Sequence, residues 1–217
     1  RLPKVVKYVD IPLQHSHPAV LSAMARPRNP EKVMDLIREV LPEAKIRSTF
    51  IVGFPGETDE QFEHLVQFIE KYRFDRLGVF TYSKQMEVPS GHMENQLTEK
   101  VKKARRNRIM RLQHDIAFDS NKAMVGQVIP VLIESHDESK KLYTGRSQWD
   151  APGIDNQVYV RESADAPVYM AEVNMVLVEE AKPYDLIGVA YSGTESVVKP
   201  ALVDHENALV TPVSMSR

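Results

Sequence analysis

Short apolar runs alternate with longer segments of helical periodicity along the first 123 residues of the chain. The runs at residues 5–11, 46–52 and 77–82 have the length and composition of buried strands. The segments between them place apolar residues at three- and four-residue spacing, as amphipathic helices do. Strands that alternate with helices pair in parallel, and three strands cannot close a barrel. We therefore expect an α/β unit that is part of a larger (β/α) barrel.

Capping residues mark where these helices begin. Asn29 followed by Pro30 is typical of an N-cap and a first-turn proline. Thr58 followed by Gln61 predicts a capping box, and the helix it opens is expected to end near Tyr72. A long third helix is predicted over residues 97–123.

The pattern changes near Val125, where β-branched residues and turn-forming Asp, Ser, Pro and Gly begin to dominate. Four strands are predicted, and together they indicate a small all-β, antiparallel barrel of OB-fold size. They span residues 127–134, 157–161, 168–179 and 184–189.

The chain thus divides into three parts. Residues 1–123 form the partial α/β barrel with its long connecting helix, and residues 124–191 form the small barrel. Residues 192–217 lack periodicity, so we expect a disordered tail.

The composition excludes several kinds of site. The chain of 217 residues has a net charge of −2 and no cysteine, which excludes disulfides, thiolate nucleophiles and thiolate-held iron–sulfur clusters within it. No apolar run approaches the ~20 residues of a membrane span. We therefore expect a cytoplasmic protein without a membrane partner.

Charge is distributed unevenly between the parts. Residues 125–190 contain eleven acidic and five basic residues, a net charge of −6. A barrel that binds oligonucleotides is expected to be basic, so this acidic barrel favours a basic protein as partner.

A glycine-containing loop follows the second predicted strand. Gly53 and Gly56 allow a tight turn, and such a turn is expected to point backbone N–H groups outward at the carboxyl end of the strand, where α/β folds bind small molecules. The alternative is an ordinary strand-to-helix turn. Gln14, His15 and His17 follow the first strand and are expected at the same end.

The two histidines after the first strand are weighed against a metal site. A His-x-His pair binds metals in some proteins, but no third ligand is near in sequence. We therefore favour hydrogen-bonded loop histidines and predict no metal site in this chain.

Three further features each allow two interpretations. Arg47 is placed to pair with a ligand anion or to form a surface ion pair, and Tyr82 with Ser83 is placed to bond a substrate or simply to end a strand. The basic residues of the long helix suit either phosphate binding or a solvated face. They are Lys100, Lys102, Lys103, Arg105, Arg106, Arg108 and Arg111.

Several segments resemble the radical S-adenosylmethionine methylthiotransferases. They include YVDIPLQHS at residues 8–16 and RSTFIVGFPGETDEQF at residues 47–62. In the small barrel, Gly145-Arg146-Ser147 and the Asp150–Asp155 segment look like the TRAM domain that ends those enzymes. The resemblance implies the C-terminal half of a radical-SAM (β/α) TIM-like barrel followed by a TRAM barrel.

Within the family, the sequences of these segments are most similar to the RimO branch, which adds a methylthio group to an aspartate of protein twelve of the small ribosomal subunit. The MiaB branch, which modifies an adenosine of tRNA, stays as an alternative. The resemblance implies a small-subunit ribosomal protein as the partner of the TRAM domain.

The resemblance also implies cofactors and contacts. The full-length family uses S-adenosylmethionine and two 4Fe-4S clusters, and by analogy Ile51 and Gly53 pack against the cofactor while Gln14 and Arg47 make polar contacts with it. No catalytic residue is assigned.

This chain departs from the family in three ways. It lacks the cluster cysteines and begins without an initiator methionine, and residues 84–89 replace the small-residue pattern that follows Tyr-Ser in the family. We therefore expect an inactive C-terminal fragment of the enzyme, with a non-catalytic TRAM binding module as the alternative.

Overall fold

A three-stranded parallel sheet forms the first part of the computed structural model, which describes residues 5–164 and 166–193. Strands β1 (Tyr8–Asp10), β2 (Lys45–Val52) and β3 (Arg76–Thr81) lie in that order. Helices α1 (Pro18–Ala23) and α2 (Pro30–Val40) connect β1 to β2, and α3 (Asp59–Tyr72) connects β2 to β3. The predicted parallel α/β arrangement is confirmed. Asp165 and the predicted tail from residue 194 onward lie outside the described residues, as do residues 1–4.

The two faces of β2 have different surroundings. Ile46, Ser48, Phe50 and Val52 are fully buried on one face, and three of them belong to the apolar core that includes α3 residues. The intervening side chains point to the opposite face and are only half-buried. Alternation of this kind is expected for a barrel strand with helices on one side only.

Both predicted helix caps are present. The Asn29 side chain accepts a hydrogen bond from the Lys32 N–H at 3.3 Å, directly before Pro30 at the start of α2. Thr58 and Gln61 exchange the two hydrogen bonds of a capping box at α3, at 3.2 and 3.0 Å. These caps satisfy N–H groups that would otherwise lack partners.

A long helix, α4 (Glu99–Lys122), connects the sheet to the small barrel. Its buried Ile109 and Ile116 join the core between the sheet and α3. Near its end, Asn121 donates from Nδ2 to the carbonyl oxygens of Lys182 (2.9 Å) and Pro183 (3.3 Å). The helix therefore contacts both parts of the chain.

Five strands close the small barrel in the order β4-β5-β6-β8-β7. The predicted all-β barrel is confirmed, although the β6–β8 pair is parallel rather than antiparallel. Its core contains Ile129, Val131, Ile133, Val160 and Val176. The strands are β4 (Val128–Asp137), β5 (Leu142–Ser147), β6 (Val158–Arg161), β7 (Val173–Ala181) and β8 (Leu186–Ala190).

Strand β5 was not predicted from the sequence because Gly145 and Arg146 interrupt its apolar pattern. Gly145 allows a close approach to β4, since a Cβ there would lie 2.4 Å from the Leu132 carbonyl oxygen. Within the described part of the chain, no helix combines the length and apolarity needed to cross a membrane.

Candidate functional site

The loop from Gly53 to Glu57 lies at the carboxyl end of β2, where the sequence places a candidate site. Gly53 has a φ of +76°, and a Cβ there would lie 2.4 Å from Cγ of Lys102. Gly56 has a similar φ of +79°, but a Cβ there would meet nothing within 4 Å. Gly53 is therefore required both by its backbone angle and by the Lys102 side chain that packs on it.

The N–H groups of this loop are bonded within the protein, so the expectation that they point outward to a ligand is wrong. Glu57 accepts hydrogen bonds from the N–H groups of Gly53 (2.5 Å) and Phe54 (3.1 Å) through its Oε2. The Gly56 N–H donates to the Asn95 carbonyl and the Glu57 N–H to the Phe54 carbonyl. The carboxylate of Glu57 thus occupies the position that an anionic ligand would take.

Arg105 of α4 neutralises this buried carboxylate. Its Nη1 lies 2.9 Å from Glu57 Oε1 and 3.0 Å from the Glu57 carbonyl oxygen, and its Nη2 lies 2.6 Å from Asp59. Burial raises the pKa of Glu57, and the Arg105 charge and the two N–H donors oppose that rise. The ion pair therefore attaches the Gly53–Glu57 loop to helix α4.

Most of the basic residues of α4 bond to protein groups, which neither sequence interpretation anticipated. Lys102 is 4% exposed and donates to the Tyr82 carbonyl at 3.0 Å. Arg106 donates to the Val79 carbonyl, and Arg108 pairs with Glu63. Only Lys102 and Arg105 of the set are buried, and the exposed members are Lys100, Lys103, Arg106, Arg108 and Arg111. Backbone carbonyls at the end of β3 are thus bonded by the helix.

The histidines after β1 have structural partners. His17 caps α1 by accepting from the Ala19 N–H, and Ser16 bonds to His64 at 2.9 Å. His15 is fully buried, and its Nδ1 accepts from the His17 N–H at 3.0 Å, which leaves the proton on Nε2. Among the described residues, no group of three metal-ligating side chains is present.

Burial sets the protonation of His15. It lowers the pKa of this imidazole to about 3. Nε2 has no hydrogen-bond partner among the described residues. The ring is therefore neutral at neutral pH and presents one buried, unpaired N–H donor at the carboxyl end of the sheet.

Three of the four predicted cofactor contacts come together at this end. Gln14, in the left-handed conformation at φ +71°, pairs with β2: its N–H donates to the Thr49 carbonyl, and its own carbonyl accepts from the Ile51 N–H, both at 2.8 Å. Ile51 is half-buried and packs with Phe54 and other apolar residues. Gly53 follows two residues later.

Arg47 lies elsewhere, near the amino end of β2. It lies six positions before Gly53, which corresponds to about 20 Å along a strand. Its guanidinium lies 3.4 Å from Asp155 of the small barrel and 3.9 Å from Asp10, and its side chain is 17% exposed. Of the two interpretations left open, the structure shows an ion pair, and it is largely buried rather than a surface contact.

A second arginine docks the small barrel on the same end of the sheet. Arg76 donates from Nε and Nη2 to Asp150 Oδ1, at 3.0 and 2.6 Å. Tyr8 donates to Asp155 at 2.7 Å, and burial together with that carboxylate raises the Tyr8 pKa. We call these five residues, Tyr8, Arg47, Arg76, Asp150 and Asp155, the docking lock. Sequence reasoning missed it, although both aspartates stood in a recognised motif.

Tyr82 belongs to an apolar cluster beside the loop. It is 8% exposed, and its ring contacts Phe54 edge-on at 5.3 Å between centroids. Its hydroxyl has no partner within the described residues. The cluster also contains Val20, Ile51, Met24 and Met93, and it forms an apolar wall at the carboxyl end of the sheet.

This chemistry decides which cofactors the residues fit. A cofactor bound through phosphate does not fit, because the loop amides are already taken by Glu57. The apolar wall that contains Ile51, Phe54 and Tyr82 fits a ligand with a flat ring, and the adenine of S-adenosylmethionine is of that kind. A thiolate-held iron–sulfur cluster does not fit, because the chain has no cysteine.

Two families match separate parts of this chain. The Radical SAM superfamily matches residues 1–69, and the TRAM domain matches residues 125–190. The first match runs from β1 to within α3, and the second covers the five-stranded barrel. Together with the relatives below, these matches agree with the resemblance to the radical S-adenosylmethionine methylthiotransferases that the motifs of the chain indicate.

The chain is similar to curated proteins named ribosomal protein uS12 methylthiotransferase RimO. It is 44% identical to that of Synechococcus sp. (strain JA-3-3Ab) over 189 residues, covering 86% of this chain and 40% of the relative. It is 44% identical to that of Thermosynechococcus vestitus over 86% of this chain and 42% of the relative. For Carboxydothermus hydrogenoformans the identity is 41%, over 86% and 43%. The chain therefore spans about two fifths of the length of these relatives.

Proposed function

We propose that this chain is the cofactor-wall and substrate-docking portion of a radical-SAM methylthiotransferase that acts on ribosomal protein uS12. Its order of parts supports this: a parallel sheet with a closed carboxyl-end loop, then an acidic five-stranded barrel. The observation that carries the proposal is the similarity to RimO proteins across both parts, at 41–44% identity over 86% of the chain.

The acceptor in this proposal is an aspartate side chain of uS12, as the resemblance to the RimO branch implies. S-adenosylmethionine supplies the methyl group and radical chemistry when it is bound. Within this chain, Gln14, Ile51 and Gly53 would hold the adenosine side of the cofactor. The polar contact predicted for Arg47 stays a prediction, and in the structure this side chain pairs with Asp155 of the docking lock.

We assign the ligands of the iron sites to residues outside this chain. Without thiolates the 217 residues supply positioning only, so we expect the isolated chain to be inactive.

A chimaera tests the proposal. Residues 5–190 of this chain would replace the matching segment of the Synechococcus RimO protein, and the product would be incubated with S-adenosylmethionine, a reductant, sulfide as the sulfur source and purified uS12, after anaerobic reconstitution with iron and sulfide. Mass spectrometry of the uS12 peptides is expected to show one added methylthio group on an aspartate. A parallel reaction with tRNA separates the two branches, and modification of tRNA adenosine without modification of uS12 would overturn the substrate assignment.

A further inference from the structure

One outer face of the small barrel is apolar and partly exposed: Val173 is exposed, and Pro130, Leu132 and Met175 are half-buried. The β4–β7 register pairs Pro130 with Met175 and Leu132 with Val173. Alternate residues of both strands point into the core, so these four side chains share the outer face. Val173 is 64% exposed. Cross-strand neighbours on one face lie about 5 Å apart, so the four residues form a continuous surface.

The turn that leads into β7 extends this surface. Tyr169 and Met170 precede the strand and are 57% and 46% exposed. We define the β4–β7 patch as Pro130, Leu132, Tyr169, Met170, Val173 and Met175. Aromatic residues and methionine are enriched in protein–protein interfaces, and large exposed apolar patches mark such sites.

The turn is held rigidly by Asn174, which is 7% exposed. Its Nδ2 donates to the carbonyls of Tyr169 (2.8 Å) and Glu172 (2.9 Å), and its Oδ1 accepts from the Tyr169 N–H (2.8 Å). The Ala171 N–H also donates to the Ile133 carbonyl. A pre-organised surface of this kind loses less entropy on binding than a flexible one.

Charge around the patch selects the kind of partner. Glu172 lies within the turn and is exposed, and Arg146, on the neighbouring strand β5, is neutralised by Glu134 at 2.8 Å. Residues 125–190 carry a net charge of −6, and because Asp150 and Asp155 are paired with Arg76 and Arg47 of the sheet, −4 remains on the barrel. A polyanion would be repelled, whereas a basic protein segment meets complementary charge.

We propose that the β4–β7 patch binds a basic protein segment whose apolar side chains cover Leu132, Val173 and Tyr169. Its lysine or arginine residues then meet Glu172 and the other acidic side chains of the barrel. The identification of this segment with uS12 rests on the proposed function.

Binding of the full chain to two probes tests the patch. The probes are purified uS12 and a synthetic peptide of alternating lysine and leucine, each titrated at low and high salt. Val173→Lys is expected to weaken binding of both probes by roughly tenfold or more. Leu36→Lys on α2 is the matched control, since Leu36 is 58% exposed, and it is expected to bind as the unmodified chain does.

Each outcome separates the two proposals. If Val173→Lys weakens binding of the peptide and uS12 does not bind at all, the β4–β7 patch is supported and the assignment of uS12 as substrate is contradicted. Binding of uS12 that both variants retain overturns the patch and leaves the substrate standing. Preferential capture of RNA by the unmodified chain overturns the patch.

Serine replacement of Leu202, Val203, Leu209 and Val210 in the full chain tests whether the tail occupies the patch. If this variant binds a probe that the unmodified chain does not bind, the patch is an internal contact and the proposal is wrong.

Discussion

Arg105 and Glu57 form an ion pair in which the guanidinium side chain is 7% exposed and the carboxylate is fully buried. The same carboxylate accepts the two loop N–H groups that follow β2. The pair thereby fixes the loop at the carboxyl end of the sheet without any ligand. It also explains why a glycine-containing loop in this position offers no phosphate site.

Removing the arginine from this pair is expected to be costly. Arg105→Met leaves the buried Glu57 carboxyl without its partner, so we expect the free energy of unfolding to fall by about 3–5 kcal/mol. Denaturant unfolding measures this. Arg108→Met is the matched control, because Arg108 and Glu63 are 46% and 42% exposed, and it should cost less than about 1 kcal/mol. Equal losses for both variants would contradict the role assigned to the buried pair.

The two loop glycines separate backbone strain from steric contact. Gly53→Ala and Gly56→Ala both place a side chain at positive φ, but only the first meets Lys102. We expect Gly53→Ala to lose about 1–3 kcal/mol more stability than Gly56→Ala, since overpacking costs that much. Lys102→Ala, combined with each substitution in a double-mutant cycle, should reduce the difference. A difference that persists unchanged in that background would refute the steric explanation.

The docking lock is expected to hold the small barrel against the sheet. Asp150→Asn removes the charge that receives two hydrogen bonds from Arg76. We expect faster hydrogen exchange at the amides of β3 and of the segment that carries Asp150, because their contact opens more often. Asp137→Asn is the control: Asp137 pairs with Lys140 on the surface of the same barrel, and exchange in those two segments should stay unchanged.

The buried imidazole of His15 predicts a pH dependence of stability. Its pKa is about 3 in the folded chain and about 6.5 when unfolded. The unfolded state therefore binds more protons between these values, and stability falls as the pH drops from about 6.5 toward 3. The slope from this one group is at most ~1.4 kcal/mol per pH unit. Unfolding measured at pH 7 and pH 5 should show a smaller loss for His15→Asn than for the unmodified chain, and identical losses would contradict the assignment.

Local signals in the sequence predicted much of the fold. The caps at Asn29 and Thr58 depend on neighbours within three residues, and the structure confirms both. The apolar runs of β2 and β3 could likewise be recognised as strands from their own residues. Strand β5 was missed because Gly145, which allows the close approach of β4, and Arg146 interrupt its apolar pattern.

The site was harder to predict because its contacts join distant positions. Glu57 was read only as part of a motif, yet its partner Arg105 lies 48 residues later, on a helix that looked solvated. Arg47 was expected with Gln14 near the cofactor, but its partner Asp155 comes from the other barrel. Charge type alone does not reveal which of several carboxylates an arginine will meet.

The central claim is that this chain provides one wall of a cofactor pocket and no cluster ligand. Iron content after anaerobic reconstitution, measured for the 217-residue chain beside the chimaera with the Synechococcus protein, tests it most directly. We expect no stoichiometric iron on the chain alone and cluster iron on the chimaera. A four-iron cluster retained by the chain alone would contradict the account.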